Sequence, residues 1–549
     1  MKKRNPDTAS TREIILEKPS KNGWGTPFYS RVAVCFALVA AMLFLSLTRV
    51  AKISTNRALG AAGEQNTFSY TLYPERGIIY DCKMRPLTNA AYERRGLLIP
   101  SDEGLAAASL LLQGDELSEA VKTLLSGMPT TAPLGNGDLP KGVIEYYYPV
   151  RYSYDSLCHI LGYVDSSGRG VAGIEKGFDE VLSGGAPTRA LFSISANRDI
   201  ISDFGAVIKT GERGGKVVLT IDRDIQLLCE KVFSKVDKGA AVVIEADSGK
   251  IRAMLSKPAY NQNNISESLY SSDSPLVNRA LSGYPVGSVF KLLVSASAID
   301  SGISLDTNYC CNGSFWTGSS YFGCHQKNGH GEMNMRSAIA ESCNVFFYNT
   351  VLSFPAERIL ETARRCSFAS DIDLGGELAA SKGNLPNEGS LTSLNALCNL
   401  AIGQGELLAS PLAVSNLYSA IAMGGSYKNP TLLQDSTAPE SYVMSRFAAD
   451  TLKEYLINAI SEGTGRNARP KSPIVAGGKT ATAQTGRYEN GKELLVGWYC
   501  GFAEINGKTY VVCTLCEDVS SGASDCAPLF AEICDGIYSI FPSKQSLSD

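Results

Sequence analysis

The hydrophobic residues of this chain gather in blocks whose spacing predicts most of its elements. Val32 to Leu47 runs without a charge and lacks the polar face that a surface-packed helix keeps for water. With Thr48 extending it and Arg49 able to snorkel, it sits at the short end of a membrane span. A cleaved signal peptide and a buried core helix are the rival readings. The basic leader, with Lys2, Lys3, Arg4, Arg12, Lys18, Lys21 and Arg31, is long for a signal peptide, and no small-x-small cleavage site follows. We read residues 32–50 as an uncleaved single-pass anchor and 1–31 as a cytoplasmic basic tail. The positive end then lies inside the cell, and the remainder is extracytoplasmic.

Further along, Val217 to Ile221 and Ala240 to Glu245 are β-branched runs bounded by turn residues, which predicts buried strands. Ile251 to Leu255 follows the turn Asp247-Ser248-Gly249-Lys250 and should pair with the second run as a hairpin. Helical patterns cover the stretch around Ser288, Met335 to Leu352 and Pro411 to Met423. Leu494 to Phe502 and Thr509 to Cys516 read as late strands, and Leu529 to Ile540 as a closing helix. Strands at both ends with helices between predict an α+β domain over 216–549, an antiparallel sheet covered by helices. Residues 51–215 read as a smaller mixed domain, a pedestal without a catalytic cluster. Its Arg76 to Asp81, Leu161 to Asp165 and Gly170 to Lys176 pieces read as strands and glycine-permitted turns.

Composition narrows the classes. Apolar content of 44% and charge of 19% fit globular protein, and a net charge of −4 argues against general nucleic-acid binding. Three histidines make a multi-histidine metal enzyme hard to build, and the 15 cysteines form no repeating CxxC framework. The loop holding Cys310, Cys311, Cys324, His325 and His330, with Cys343 nearby, offers ligand types for zinc. Its spacing matches no standard finger. A disulfide from Cys324 to Cys310 or Cys311 is the other option, and free thiols are the default.

The candidate chemistry lies in three places. Ser288 and Lys291 are three residues apart at the start of an apolar helix, so they share a face. A lysine desolvated in an apolar wall loses its proton more readily and becomes a base for the hydroxyl. A chain of this length carries about two Ser-x-x-Lys pairs by chance, and a capped core helix with a surface lysine is the plain alternative. Ser342 and Asn344 stand before an aromatic run, where two polar side chains need partners; a helix cap would also account for them. Lys479, Thr480, Ala481 and Thr482 follow two glycines and read either as an edge strand with a solvated lysine or as a strand along which a peptide lies. Ser-x-x-Lys, Ser-x-Asn and Lys-Thr-x in this order form a known signature of penicillin-interacting serine enzymes.

The sequence resembles the class B penicillin-binding proteins, membrane-anchored peptidoglycan D,D-transpeptidases. The resemblance covers nearly the whole chain, through the anchor, Arg76 to Asp81, Gly173-Ile174-Glu175-Lys176, Leu219 to Asp222, the three motifs, Gly403-Gln404-Gly405-Glu406 and Ser410-Pro411-Leu412. It implies the penicillin-binding transpeptidase fold and acylation of Ser288 by a stem peptide ending in D-Ala-D-Ala. Lys291 would be the base, Ser342 a proton relay and Asn344 an anchor for substrate and lysine. Lys479, Thr480, Ala481 and Thr482 would bind the substrate, its carboxylate lying against Lys479 and the threonines. The N–H groups of Ser288 and Thr482 would form an oxyanion hole. β-Lactams would acylate the same serine, and the reaction needs no metal or cofactor. No glycosyltransferase-sized region precedes the pedestal, so a membrane glycosyltransferase and proteins of division, elongation or sporulation are the expected partners. One position departs from the family: Ala481 stands where glycine is usual, which puts a methyl where a substrate must approach. A D,D-carboxypeptidase or β-lactamase, and a catalytically weak scaffold, are the alternatives.

Overall fold

Residues 26–54, 67–153 and 157–541 are described by a computed structural model. The chain divides into two compact units, one running to Ser69 and including Leu191–Val207, the other made of Tyr70–Ala190 and Ile208 onward. In the first unit, α1 (Thr26–Ser54) contains Ser30–Lys52, a stretch of 23 residues long and apolar enough to cross a membrane. The predicted basic tail lies outside the described residues up to residue 25.

The second unit is built on a five-stranded sheet of β1 (Gly239–Glu245), β2 (Lys250–Lys257), β3 (Val475–Glu489), β4 (Lys492–Ile505) and β5 (Lys508–Glu517). Its order is β2-β1-β5-β4-β3, every neighbouring pair is antiparallel, and β2 and β3 are its two edges. The predicted hairpin pairs as read, Ile251 opposite Ile244 and Leu255 opposite Ala241. The alternation of side chains along each strand splits the core in two. Ala240, Val242 and Ile244 of β1 join Val511, Cys513 and Leu515 of β5 on one face. Ala241 and Val243 join Val512 and Cys516 on the other.

The second face is covered by α2 (Arg223–Val232) and α8 (Ala527–Ile540), through Ile225, Cys229, Phe530, Ile533 and Ile537. The first face is covered by α3 (Lys291–Asp300), α6 (Pro411–Ala422) and α7 (Arg446–Ser461), with α4 (Met335–Ala340) and α5 (Asn344–Thr350) beyond them. Every residue of α6 is buried, its polar Ser415, Asn416 and Ser419 included. Ser410 caps it, accepting from the Ala413 N–H, with Pro411 at the position that needs no donor.

Several expected strands take other forms. Only Val217–Val218 of the 217–221 run is strand, paired in parallel with Ile79–Tyr80. Leu161 ends a short helix, Cys158–Leu161, and Gly173–Gly177 is helical too. Segments this short carry no period, so apolar content alone cannot separate turn of helix from strand. Long-range ion pairs fix them. Arg76 Nε donates to Glu175 Oε2 at 2.7 Å, Arg151 Nε donates to Glu175 Oε1 at 2.7 Å, and Glu175 is fully buried. Asp81 and Asp222 share Arg85, at 2.7 and 3.1 Å.

Candidate active site

Ser288 lies in one 3₁₀ turn, Gly287–Phe290, that feeds straight into α3. In 3₁₀ geometry residues i and i+3 eclipse, so Ser288 and Lys291 lie along one line. Gly287, Val289 and Phe290 are buried while Ser288 is half-buried. The turn is braced from outside. Gly287 N–H donates to the Gly403 carbonyl at 2.8 Å, Tyr284–Pro285 pairs with Leu408–Ala409, and Trp498 Nε1 donates to the Pro285 carbonyl at 2.9 Å. Gly287 has φ +66°, a conformation that disfavours side chains. Gly403, from the 403–406 stretch singled out in the sequence, thereby braces the turn that carries Ser288.

Lys291 is fully buried. Its Nζ donates to the Ser342 carbonyl at 2.7 Å, to Ser342 Oγ at 3.3 Å and to Asn344 Oδ1 at 2.7 Å. All three acceptors are neutral, and among the described residues it has no carboxylate partner and no hydrogen bond to Ser288 Oγ. Burial brings its pKa down to about 7. The surface-lysine alternative is thereby excluded.

The single helix expected over 335–352 is two. Ser342 takes φ +57°, uncommon for a residue with a side chain, and breaks the run between α4 and α5. This left-handed residue turns its carbonyl and hydroxyl toward Lys291, and such outliers persist where surroundings over-determine them. Asn344 opens α5, and its Nδ2 donates to the Gly323 carbonyl at 3.1 Å.

Lys479 lies on the edge strand β3 but is fully buried, so it is not a solvated edge lysine. Its Nζ donates to Thr464 Oγ1 at 3.3 Å and to the Thr480 carbonyl at 3.2 Å. Burial, then the charge of Lys291, holds its pKa well below the lysine range, with Glu341 opposing. Thr480 Oγ1 lies 3.1 Å from Thr464 Oγ1. Thr482 is exposed, and its Oγ1 accepts from Gly522 N–H at 3.0 Å. Ala481 is 3% exposed; a Cβ built on Gly287 would lie 3.3 Å from its methyl. The methyl thus faces the turn before Ser288 and not open solvent. Thr464, which links Lys479 to the end of α4 through the Ala340 carbonyl, escaped the sequence reading. Its only local mark is a glycine on each side.

The sequence of this unit matches a known domain. The profile of the penicillin binding protein transpeptidase domain matches residues 239–535, more than half of the 549 residues. The chain belongs to the penicillin-binding transpeptidase family. This family member is 28% identical over 440 residues to the peptidoglycan D,D-transpeptidase MrdA of Acinetobacter baumannii, covering 69% of this chain and 64% of that protein. With the peptidoglycan D,D-transpeptidase FtsI of Escherichia coli it shares 23% over 416 residues, 71% of this chain and 66% of that protein. The match therefore spans slightly less than two thirds of these relatives' own lengths. Among solved structures, a chain of a peptidoglycan synthase complex described as coordinating polymerization and crosslinking superposes with TM-score 0.70 at 23% identity, over 94% of this chain and 100% of that one. PBP2 of Helicobacter pylori in complex with MreC superposes with TM-score 0.66 at 21% identity, over 86% of this chain and 99% of that one. The penicillin-binding transpeptidase is thus alike in fold to these chains over 86% and 94% of its length.

Proposed function

We propose that this protein is a serine D,D-transpeptidase that cross-links peptidoglycan stem peptides. One observation carries the reading: a fully buried amine, Lys291, is held by neutral acceptors one 3₁₀ turn from a half-exposed serine. An amine brought down to about 7 is substantially uncharged at neutral pH and can take a proton.

Ser288 Oγ attacks the carbonyl between two terminal D-alanines as Lys291 Nζ takes its proton. The N–H groups of Ser288 and Thr482 receive the negative charge on the carbonyl oxygen. The C–N bond breaks, Ser342 hands a proton to the departing amine, and D-alanine leaves. An amine of a neighbouring stem then attacks the ester and frees Ser288. Asn344 keeps Lys291 in place, and the substrate carboxylate lies against Lys479, Thr480 and Thr482, supplying the counter-charge that the buried Lys479 lacks. Ala481 lines the strand from beneath, its methyl on Gly287. β-Lactams acylate Ser288 by the same steps.

With α1 as the anchor, the basic tail supports a cytoplasmic N-terminus and an extracytoplasmic transpeptidase domain over 216–549. Two neighbours in fold come from assemblies, one with MreC and one a peptidoglycan synthase complex. By likeness, this protein works beside a membrane glycosyltransferase and proteins of elongation, division or sporulation. The test supplies purified full-length protein with a D-Ala-D-Ala stem peptide and an amine acceptor. D-Alanine release with a cross-linked product is expected, and loss of both in Ser288→Ala. Release of D-alanine without cross-linking would favour a carboxypeptidase.

A further inference from the structure

Cys311, Cys324, His330 and Cys343 converge on one point beside the second motif. Their ligand atoms all lie within 4.8 Å of one another. Cys343 is fully buried, and Cys311 and Cys324 are 1% and 8% exposed. Cys311 Sγ and Cys324 Sγ each lie 3.5 Å from His330 Nδ1. In a tetrahedral zinc site with ordinary Zn–S and Zn–N lengths, a sulfur and a nitrogen ligand are about 3.5 Å apart. Hydrogen bonding does not account for the cluster, because Nδ1 has one lone pair and two thiols are aimed at it. A disulfide would leave a third thiol over, and among the described residues every cysteine is free.

The chain is folded to deliver these groups. Cys311 ends the strand Tyr309–Cys311, opposite Gly331, which follows His330. Cys324 follows the strand Tyr321–Gly323 and is tied back by its N–H to the Gly313 carbonyl at 2.8 Å. Gly329 has φ +82°, and a Cβ there would lie 2.1 Å from the Cys311 carbonyl oxygen. The segment 309–333 is thus wound tightly around the cluster by short two-stranded ladders.

We propose that Cys311, Cys324, His330 and Cys343 bind a zinc ion in a closed, four-coordinate structural site. Three thiolates and an imidazole favour zinc over calcium or magnesium, which take oxygen ligands. With all four positions filled by protein, the ion does no chemistry on substrate. Its effect is positional. Cys343 stands between Ser342 and Asn344, and the Gly323 carbonyl next to Cys324 accepts from both Asn344 Nδ2 and Tyr348 OH. The ion therefore locks the segment 309–333 onto the residues that hold Lys291.

The test uses the full-length protein purified in detergent under reducing conditions, without added chelator. Elemental analysis should find about one zinc per chain. Exchange for cobalt(II) should give the intense visible bands of a tetrahedral thiolate site, and Cys311→Ser should weaken and shift the sulfur-to-cobalt band. Chelation of the wild type should slow acylation by penicillin and restored zinc should recover it. Zinc near zero in folded, penicillin-reactive protein would overturn the proposal. So would a native disulfide among these cysteines, or octahedral cobalt bands. Metal content and cobalt spectra are read on the wild type, so a variant that fails to fold leaves the test intact.

Discussion

Lys291 Nζ lies 2.7 Å from Asn344 Oδ1, and this contact joins the first motif to the second inside a wall that excludes water. Removing the acceptor leaves the buried amine held by Ser342 alone. A hydrogen bond to a group that becomes charged contributes about 1.5–3 kcal/mol. Asn344→Ala should therefore slow acylation by roughly ten- to a hundredfold, measured as the second-order rate with a chromogenic cephalosporin. The rate should fall with the fold intact by circular dichroism.

Acylation should rise with pH through about 7 and level off above, because Lys291, brought down to about 7 chiefly by burial, must be uncharged to accept the serine proton. Cys324 and Cys343 oppose that fall, and Lys479 is a second amine in its neighbourhood. The measurement is the acylation rate from pH 5 to 9; a flat profile would remove Lys291 as the base.

Replacing Lys291 should move stability and activity in opposite senses. Between about 7 and the ordinary lysine range the unfolded chain binds the proton that the folded chain has released, so the site's penalty is full below 7 and eases as pH rises. Lys291→Met should therefore raise the melting temperature at pH 6 while abolishing acylation, and the gain should shrink toward pH 10. Differential scanning calorimetry at the two pH values checks this.

Much of this site was legible before any coordinates. The order of Ser288-x-x-Lys291, Ser342-x-Asn344 and Lys479-Thr480 singled out chemistry because each pair must be close in sequence to share a turn or strand. The hairpin of Ala240–Glu245 with Ile251–Leu255 was legible because β-branched runs and a turn are local signals. What stayed hidden depends on distant partners. Thr464 meets Lys479 only through the fold, Arg76 meets Glu175 across 99 positions, and the left-handed Ser342 interrupts a stretch that local propensity would keep helical. The cysteine loop was noticed for its ligand types. Its convergence with Cys343 needed the three-dimensional arrangement.

Ala481 should prove nearly neutral, because its methyl packs toward Gly287 and not into the open groove. Ala481→Gly should change acylation by less than about threefold, within the small cost of exchanging one buried methyl. Gly287→Ala should be severe, since φ is +66° and its Cβ would meet the Ala481 and Ala483 methyls at 3.3 and 3.2 Å. The pair, measured by acylation rate and melting temperature, separates crowding of the substrate from crowding of the turn.

Glu175→Ala should destabilise the protein by about 1.5–3 kcal/mol, because it removes the buried carboxylate that Arg76 and Arg151 share and leaves Arg76 with Asp179 as its remaining carboxylate partner. Chemical denaturation of the full-length protein in detergent measures the loss. The folded fraction should acylate at the wild-type rate, as this ion pair supports the architecture and not the reaction.

The most direct test of the central claim is to treat the full-length protein with benzylpenicillin and map the adduct by mass spectrometry. A single penicilloyl ester on Ser288, absent in Ser288→Ala and nearly absent in Lys291→Met, is the predicted result. An adduct on any other residue, or undiminished labelling without the Lys291 amine, would contradict it.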